Sequence, residues 1–397
     1  MFASWEKFFE NINNITLKLT PGCNLKCTYC NVEADSPKTP RMAIERFRQI
    51  ADLVITNSKH HFIGLEFHGG EPLLLPDEWF EEAVTYAREL GRKHKKILSM
   101  PMVTNGTMLT KKRLQKILDL NIGLCVSCDG PPEINDELRG GGERLARALR
   151  LLQSRRVGKG VITVMTQSNW NRMPQVMDWF DDIGVKNFMI NFLQPQGRGI
   201  AGDLLTGEQM FQGMRDIFEH MYRTRSRVMD VEVTSRVERF AMGRDNPPPL
   251  ACHEFQCQAG RSYISIDTFG SVHPCGSDVM NHRFGHLDSP FDDARYEEMM
   301  THLHDKGDWV LRCFDCNAKQ ICNHSCPTSD KNSEEFREQD CRATKLLWEY
   351  FCNNAPKVQE VYRSCVQRET EMEQRRLAMR EDKLAERKKE PEQIGSM

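Results

Sequence analysis

Cys23, Cys27 and Cys30 lie within eight residues of one another, in the run Leu19-Thr-Pro-Gly-Cys-Asn-Leu-Lys-Cys-Thr-Tyr-Cys30. Four thiolates normally complete a [4Fe–4S] cluster. Three of them hold three irons and leave the fourth with an open coordination position, where a substrate or cofactor can bind directly. A zinc site, or thiols with no shared ligand, is the alternative reading of this spacing. A second set follows downstream: Cys252, Cys257, Cys275 at the end of Gly270-Ser-Val-His-Pro-Cys, then Cys313-x2-Cys316-x5-Cys322-x3-Cys326, and Cys341. These eight suffice for two complete four-thiolate sites, and zinc ribbons rarely show so unequal an order.

The rest of the composition narrows what such thiols can do. The chain has 397 residues, 39% hydrophobic and 28% charged, enough for two domains with long solvated helices. Its 54 basic and 56 acidic residues nearly cancel, so no overall charge favours nucleic acid. No apolar run approaches the ~20 residues of a membrane span, and the start, Met1-Phe-Ala-Ser-Trp-Glu-Lys, lacks the order of a signal peptide. A cytoplasmic protein is expected. There thiols stay reduced, so metal rather than disulfide bonding is the expected use of the fifteen cysteines.

Strand candidates fall at Asn14–Leu19, Phe62–Phe67, Ile97–Thr104, Ile122–Cys128, Val161–Met165 and Phe188–Phe192. Helix-period segments separate them at Ala43–Thr56, Pro76–Leu90, Lys111–Leu118, Glu143–Leu152 and Met173–Asp182. This alternation predicts βαβ units around a parallel sheet. The fold class is therefore α/β, with six units suggesting a partial (β/α)6 barrel and chemistry at the C-terminal strand ends. Residues 1–13 read as a lead-in and 14–245 as the barrel with connecting helices. The Asn246-Pro-Pro-Pro break opens a cysteine-rich domain over 246–354, and 355–397 reads as a charged helix fraying into disorder.

Each strand end carries a candidate motif. His68-Gly-Gly-Glu-Pro72 follows the second strand, and glycines there let backbone approach a ligand closely. Thr104-Asn105-Gly106 follows the third, Ser127-Cys-Asp129-Gly-Pro the fourth, and Asn191-Phe-Leu193-Gln-Pro the sixth. Asp129 also reads as a turn N-cap. Cys125 and Cys128 form a C-x2-C, but side chains three apart on a strand point to opposite faces, so both are read as structural.

The C-x3-C-x2-C loop, with Gly69-Gly70-Glu71 one βα unit later, resembles the signature of the radical SAM superfamily. Its members chelate S-adenosylmethionine (SAM) on the open iron. The resemblance implies that backbone at Gly69, Gly70 and Glu71 holds the SAM amino group. It also gives Asn105, Ser127 and Asp129 as further cofactor contacts, the last two at the ribose or carboxylate, and backbone near Leu193 at the adenine. The downstream cysteine order resembles the SPASM extension, implying three [4Fe–4S] clusters in all. Cys252, Cys257, Cys275 and Cys326 would hold the nearer auxiliary cluster, and Cys313, Cys316, Cys322 and Cys341 the farther one. Reductive cleavage of SAM would then give a 5′-deoxyadenosyl radical that abstracts hydrogen from a C–H bond, and iron–sulfur potentials reaching about −700 mV make such a reduction feasible.

Two auxiliary clusters imply net oxidation of the substrate. The length and cluster set most resemble peptide-modifying members, among them anaerobic sulfatase-maturing enzymes and maturases that crosslink ribosomally made peptides. The sulfatase-maturing group carries an Asp directly after the Gly-x4-Cys cysteine. Here Gly276 follows Cys275, and Asp278 is the nearest acid and the candidate base. The expectation is a radical SAM oxidoreductase that crosslinks a precursor peptide. The alternatives are formylglycine generation and dehydrogenation of a small alcohol or aminosugar. Implied partners are the precursor, a flavodoxin- or ferredoxin-type electron donor and a separate leader-binding protein, since little chain precedes the first strand. Nucleic acid and membrane are not expected partners.

Overall fold

The computed structural model describes residues 2, 4–32, 34, 36–201, 204–243, 257–277, 282–304, 313–322, 326 and 333–389. Cys252 and Asp278 lie outside them. The first half alternates as expected: β1 (Asn14–Lys18), α2 (Ile44–Asn57), β2 (Phe62–His68), α3 (Asp77–Lys93), β3 (Ile97–Ser99), β4 (Pro101–Thr104), α4 (Lys111–Asp119) and β5 (Gly123–Ser127). Then come α5 (Pro132–Leu138), α6 (Gly142–Ser154), β6 (Lys159–Met165), α7 (Met173–Asp182), β7 (Asn187–Phe192), α8 (Gly207–Thr224), β8 (Met229–Asp230) and α9 (Val231–Met242). The short α1 (Trp5–Phe9) precedes them.

The strand expected over Ile97–Thr104 is split at Met100. Phe62 pairs with Ile97 and Phe67 with Met102, one constant offset, so the register survives the break. Pro101 has no N–H to donate to the ladder, which accounts for the interruption.

All described strands join one eleven-stranded sheet, in the order β11-β10-β9-β1-β2-β4-β5-β6-β7-β8, with β3 also on β2. Here β9 is Tyr263–Ile266, β10 Ser271–His273 and β11 Gly285–His286. Every pair from β9 to β8 is parallel, and only the β9–β10–β11 edge is antiparallel. The sheet therefore crosses the boundary drawn near residue 245. β9 zips onto the free edge of β1, since an uncovered edge presents a row of unpaired backbone groups.

Helix α1 and the start of the last helix are better anchored than their sequence suggests. Trp5 Nε1 donates to Ser289 O (2.8 Å), and the Phe8 ring stacks on Phe291 at 5.1 Å. Helix α1 is thus fastened to the segment after β11 by a hydrogen bond and aromatic contacts. Helix α10 (Asp293–His304) follows β11, and α11 (Ser333–Asn353) packs on α8. In α12 (Ala355–Lys389), Val358, Val361 and Cys365 are buried. This apolar stripe docks the start of the tail on α9. No described helix is long and apolar enough to cross a membrane.

Candidate functional site

All the strands from β9 to β8 run parallel, so the motifs that follow β1, β2, β4, β5 and β7 gather at one end of the sheet. Cys23 and Cys27 are buried there with Leu25 and Ala34, and Cys30 packs against them, in a small apolar cluster separate from the main core. None of the three is disulfide-bonded. Burial pushes the Cys23 thiol up to about 11 and raises that of Cys27. Metal binding there must displace protons. Among the described residues no three His, Cys, Asp or Glu side chains form a group suited to a single metal ion. An iron–sulfur cluster takes each thiolate on its own iron.

The Gly-Gly-Glu turn presses directly on this loop. A Cβ at Gly70 would lie 2.0 Å from Gly22 O, and one at Gly69 (φ +129°) 2.5 Å from Thr20 O. Gly70 N donates to Thr20 O and Glu71 N to Gly22 O, both at 2.8 Å, while Gly69 N donates to His68 Nδ1 (2.7 Å). The three N–H groups are thus engaged within the protein. Carbonyls are what an ammonium group requires, and those of Gly69 and Gly70 receive no hydrogen bond from the described residues.

Glu71 and Asn105 face the protein. The fully buried Glu71 carboxylate accepts from Leu73 N (2.9 Å), Thr104 Oγ1 (2.7 Å) and Asn105 N (2.8 Å), although burial raises its pKa. It ties the end of β2 to the end of β4. Asn105 Nδ2 donates to Asn24 Oδ1 (2.9 Å) and approaches Cys23 Sγ at 3.6 Å. Both residues brace the cysteine loop.

Asp129 acts the same way on the other side. One oxygen accepts from Val164 N (2.8 Å) and the other from the Tyr29 hydroxyl. Tyr29 lies between two of the loop cysteines, and Arg139 donates to its hydroxyl with the guanidinium 5.6 Å from the ring centre. The N-cap of α5 is Pro131, so Asp129 is not the cap its position suggested. Arg198 closes the third side, donating to Cys27 O (2.7 Å) and Ala34 O (2.9 Å). Sequence reasoning missed Tyr29, Arg139 and Arg198. Only the position of Tyr29 beside Cys30 offered a signal, because the two arginines reach the loop from more than a hundred residues away.

Ser127 is half-buried at the end of β5, and its hydroxyl makes no hydrogen bond to the described residues. Leu193 is buried, its N–H donates to Met165 O (3.0 Å), and its carbonyl receives no hydrogen bond from the described residues. Cys125 is half-buried on one face of β5 and Cys128 buried in the core on the other. Burial pushes both thiols up to about 12, as befits structural cysteines.

In the second region, Gly260 N donates to Pro274 O (2.8 Å), which sets the Cys257 loop beside Cys275. The thiol of Cys341, on α11, is raised by burial and then by nearby Cys316 and Cys313. Arg239 donates to Cys322 O (3.4 Å). Thus 313, 316 and 341 come together, as do the segments of 257 and 275. Two further cysteines lie near the end of the chain: Cys365 is buried, and Cys352 lines an open groove of about 620 Å³ with Cys316, Lys345 and Trp348.

Residues 17–180 match the radical SAM superfamily. An AdoMet-dependent heme synthase of Methanosarcina barkeri is 23% identical over 327 residues, 78% of this chain and 89% of that protein. A cysteine-type anaerobic sulfatase-maturating enzyme of Clostridium perfringens is 23% identical over 353 residues, 83% and 93% of the two chains. The subtilosin biosynthesis protein AlbA of Bacillus subtilis is 26% identical over 266 residues, 66% and 54%. The solved structure of native anSMEcpe with bound AdoMet and Cp18Cys peptide superposes with a TM-score of 0.73 at 21% identity. That match covers 89% of this chain and 99% of the other. Residues 17–180 thus match the radical SAM superfamily, within an α/β fold dominated by a parallel sheet.

Proposed function

From this radical SAM domain we infer a peptide maturase that installs an oxidative side-chain crosslink on a ribosomally made precursor. In this reading, residues 14–245 act as the partial barrel and connecting helices, and 246–354 as a SPASM domain. SAM bound at the cluster supplies hydrogen-atom abstraction from unactivated C–H bonds. Cys23, Cys27 and Cys30 would hold that cluster, and the open carbonyls of Gly69 and Gly70, with Ser127 and the Leu193 carbonyl, would contact SAM. Glu71, Asn105, Asp129, Tyr29 and Arg198 keep the loop rigid and its thiols sheltered from water. Cys257, Cys275 and Cys326, with Cys252, would hold the nearer auxiliary cluster. Cys313, Cys316, Cys322 and Cys341 would hold the farther one, and the two would carry electrons toward an acceptor.

The carrying observation is Gly276. A Cβ at that position would lie 2.8 Å from Tyr263 Oη and 3.1 Å from Thr16 Oγ1. The loop after Cys275 therefore presents bare backbone where the sulfatase-maturing group carries an Asp. The peptide class is supported by AlbA and by the peptide-bound anSMEcpe structure. Formylglycine generation is the second reading, because the sulfatase-maturating relative aligns over nearly its whole length.

The full chain, reconstituted with iron and sulfide and given SAM and a flavodoxin-type reductant, is expected to act on a precursor peptide encoded beside its gene. The expected product is a peptide lighter by one hydrogen pair per crosslink, found by tandem mass spectrometry. Conversion of a sulfatase peptide Cys or Ser to an aldehyde, with no change in the neighbouring precursor, would establish the second reading instead.

A further inference from the structure

Among the described residues, β2, β5 and β7 bury one set of alternate side chains more deeply than the other. Along β2, Ile63, Leu65 and Phe67 are buried, while Gly64, Glu66 and His68 between them are half-exposed. In β5, Leu124 and Val126 are buried against half-exposed Cys125 and Ser127. In β7, Phe188 and Ile190 alternate with half-exposed Met189 and exposed Asn191. These half-exposed positions share one face of the sheet, which closes at Thr16 of β1 and Ser265 of β9.

Register places Thr16 of β1 beside Glu66 of β2 and Ser265 of β9, with Lys18 beside His68 one row nearer the cysteine loop. Thr16 Oγ1 donates to Glu66 Oε2 (2.8 Å). Its single proton is thereby used, so the contact with Tyr263 Oη (2.7 Å) must run from the tyrosine to the threonine. The result is a directed chain, Tyr263 to Thr16 to Glu66, roofed by Gly276. It fixes one carboxylate oxygen and leaves Oε1 without a hydrogen bond to the described residues.

The surrounding groups define the charge. His68 Nδ1 accepts from Gly69 N, and burial lowers the pKa of this ring. The Cys125 thiol is pushed up to about 12 by burial and then by Glu66. Lys18 is buried and has a partner of its own. Among the described residues, Glu66 Oε1 is a carboxylate oxygen on this face with no hydrogen-bond partner.

We propose that Glu66, fixed by Thr16 and Tyr263, anchors a cationic hydrogen-bond donor of the substrate, an alkylammonium or guanidinium side chain near the residue modified. This rests on the peptide reading above and deepens it by naming a basic side chain as a specificity element.

The test uses n-butylguanidinium and n-butyrate as probes on the reconstituted full chain, read by saturation-transfer NMR. Wild type is expected to bind the guanidinium and not the butyrate. Glu66→Gln, which keeps an acceptor for Thr16, is expected to weaken guanidinium binding about tenfold, the scale of one charge-assisted hydrogen bond. Tyr263→Phe, which frees the Thr16 and Glu66 rotamers, should weaken it less and serves if Glu66→Gln fails to fold. Equal binding by wild type and Glu66→Gln, or butyrate bound as well as guanidinium, would overturn the proposal. The assay needs no peptide, so it can fail while crosslinking stands, and crosslinking can fail while it holds.

Discussion

The thiols at the two ends of the chain are held in different ways. Cys23, Cys27 and Cys30 come from eight consecutive residues, and side chains from the ends of β4 and β5, with the turn after β7, hold their loop. The downstream cysteines come from separated segments: the approach to β9, the turn after β10, a short helical stretch and α11. Closing long loops between ligands costs entropy that grows slowly with length, and here β9 meets it by joining the main sheet. A local ligand set needs the fold only for its outer layer. A dispersed one needs the fold for its ligands to meet at all.

The sharpest way to break that comparison is to remove one thiol set at a time. The triple change of Cys23, Cys27 and Cys30 to Ala is expected to abolish SAM cleavage while removing about four irons of about twelve. Cys313→Ala with Cys316→Ala should remove a similar share of iron and leave SAM cleavage detectable. Iron analysis and chromatography of methionine read both, and equal loss of cleavage would erase the distinction.

Glycines test the same contrast in stability. Gly70→Ala drives a Cβ to 2.0 Å from backbone at Gly22 and is expected to cost more than about 4 kcal/mol. Gly260→Ala in the second region meets the flexible side chains of Met300 and Met299, and its φ of +72° sets a cost of about 1–2 kcal/mol. Denaturant titration compares them.

Tyr29→Phe sharpens the account of the outer layer. It removes a donor from the fully buried Asp129 carboxylate and is expected to cost about 1–3 kcal/mol. Slower iron incorporation into the chain should accompany it, and an unchanged midpoint would show that the brace is idle.

The smallest effect is electrostatic and lies at the end of β8. Burial pushes Asp230 up to about 7, although Val233 N and Ile190 N donate to it. Its folded pKa exceeds the unfolded value, so the folded state holds the extra proton and stability falls as pH rises toward 7. Between pH 6 and 8 the loss is about 1.4 kcal/mol, and Asp230→Asn should flatten that part of the profile in thermal melts.

Much of the first half of the chain was legible because its signals are local. Strand and helix positions through residue 192 follow from short-range periodicity, and helix α7 matches its expected limits. The strand β9 was not legible, because four residues carry little pattern and their reason to be extended is the free edge of β1. The tail was read as solvated, since three buried residues in a long charged helix give a faint stripe. Glu71, Asn105 and Asp129 were found at the right strand ends. Their hydrogen bonds run to the protein, which depends on partners 33 to 100 residues away.

What the sequence determined by itself is the spacing of three thiols, their place after the first strand and the strand–helix order that repeats behind them. Each is a relation among near neighbours, and short-range sterics and hydrophobic period fix it. The tertiary structure decided what presses on the glycines at 69 and 70, and that a bare Gly276 roofs the chain from Tyr263 to Glu66. Those are contacts between residues far apart in sequence. They exist only once the parallel strands stand side by side and carry their ends to one rim.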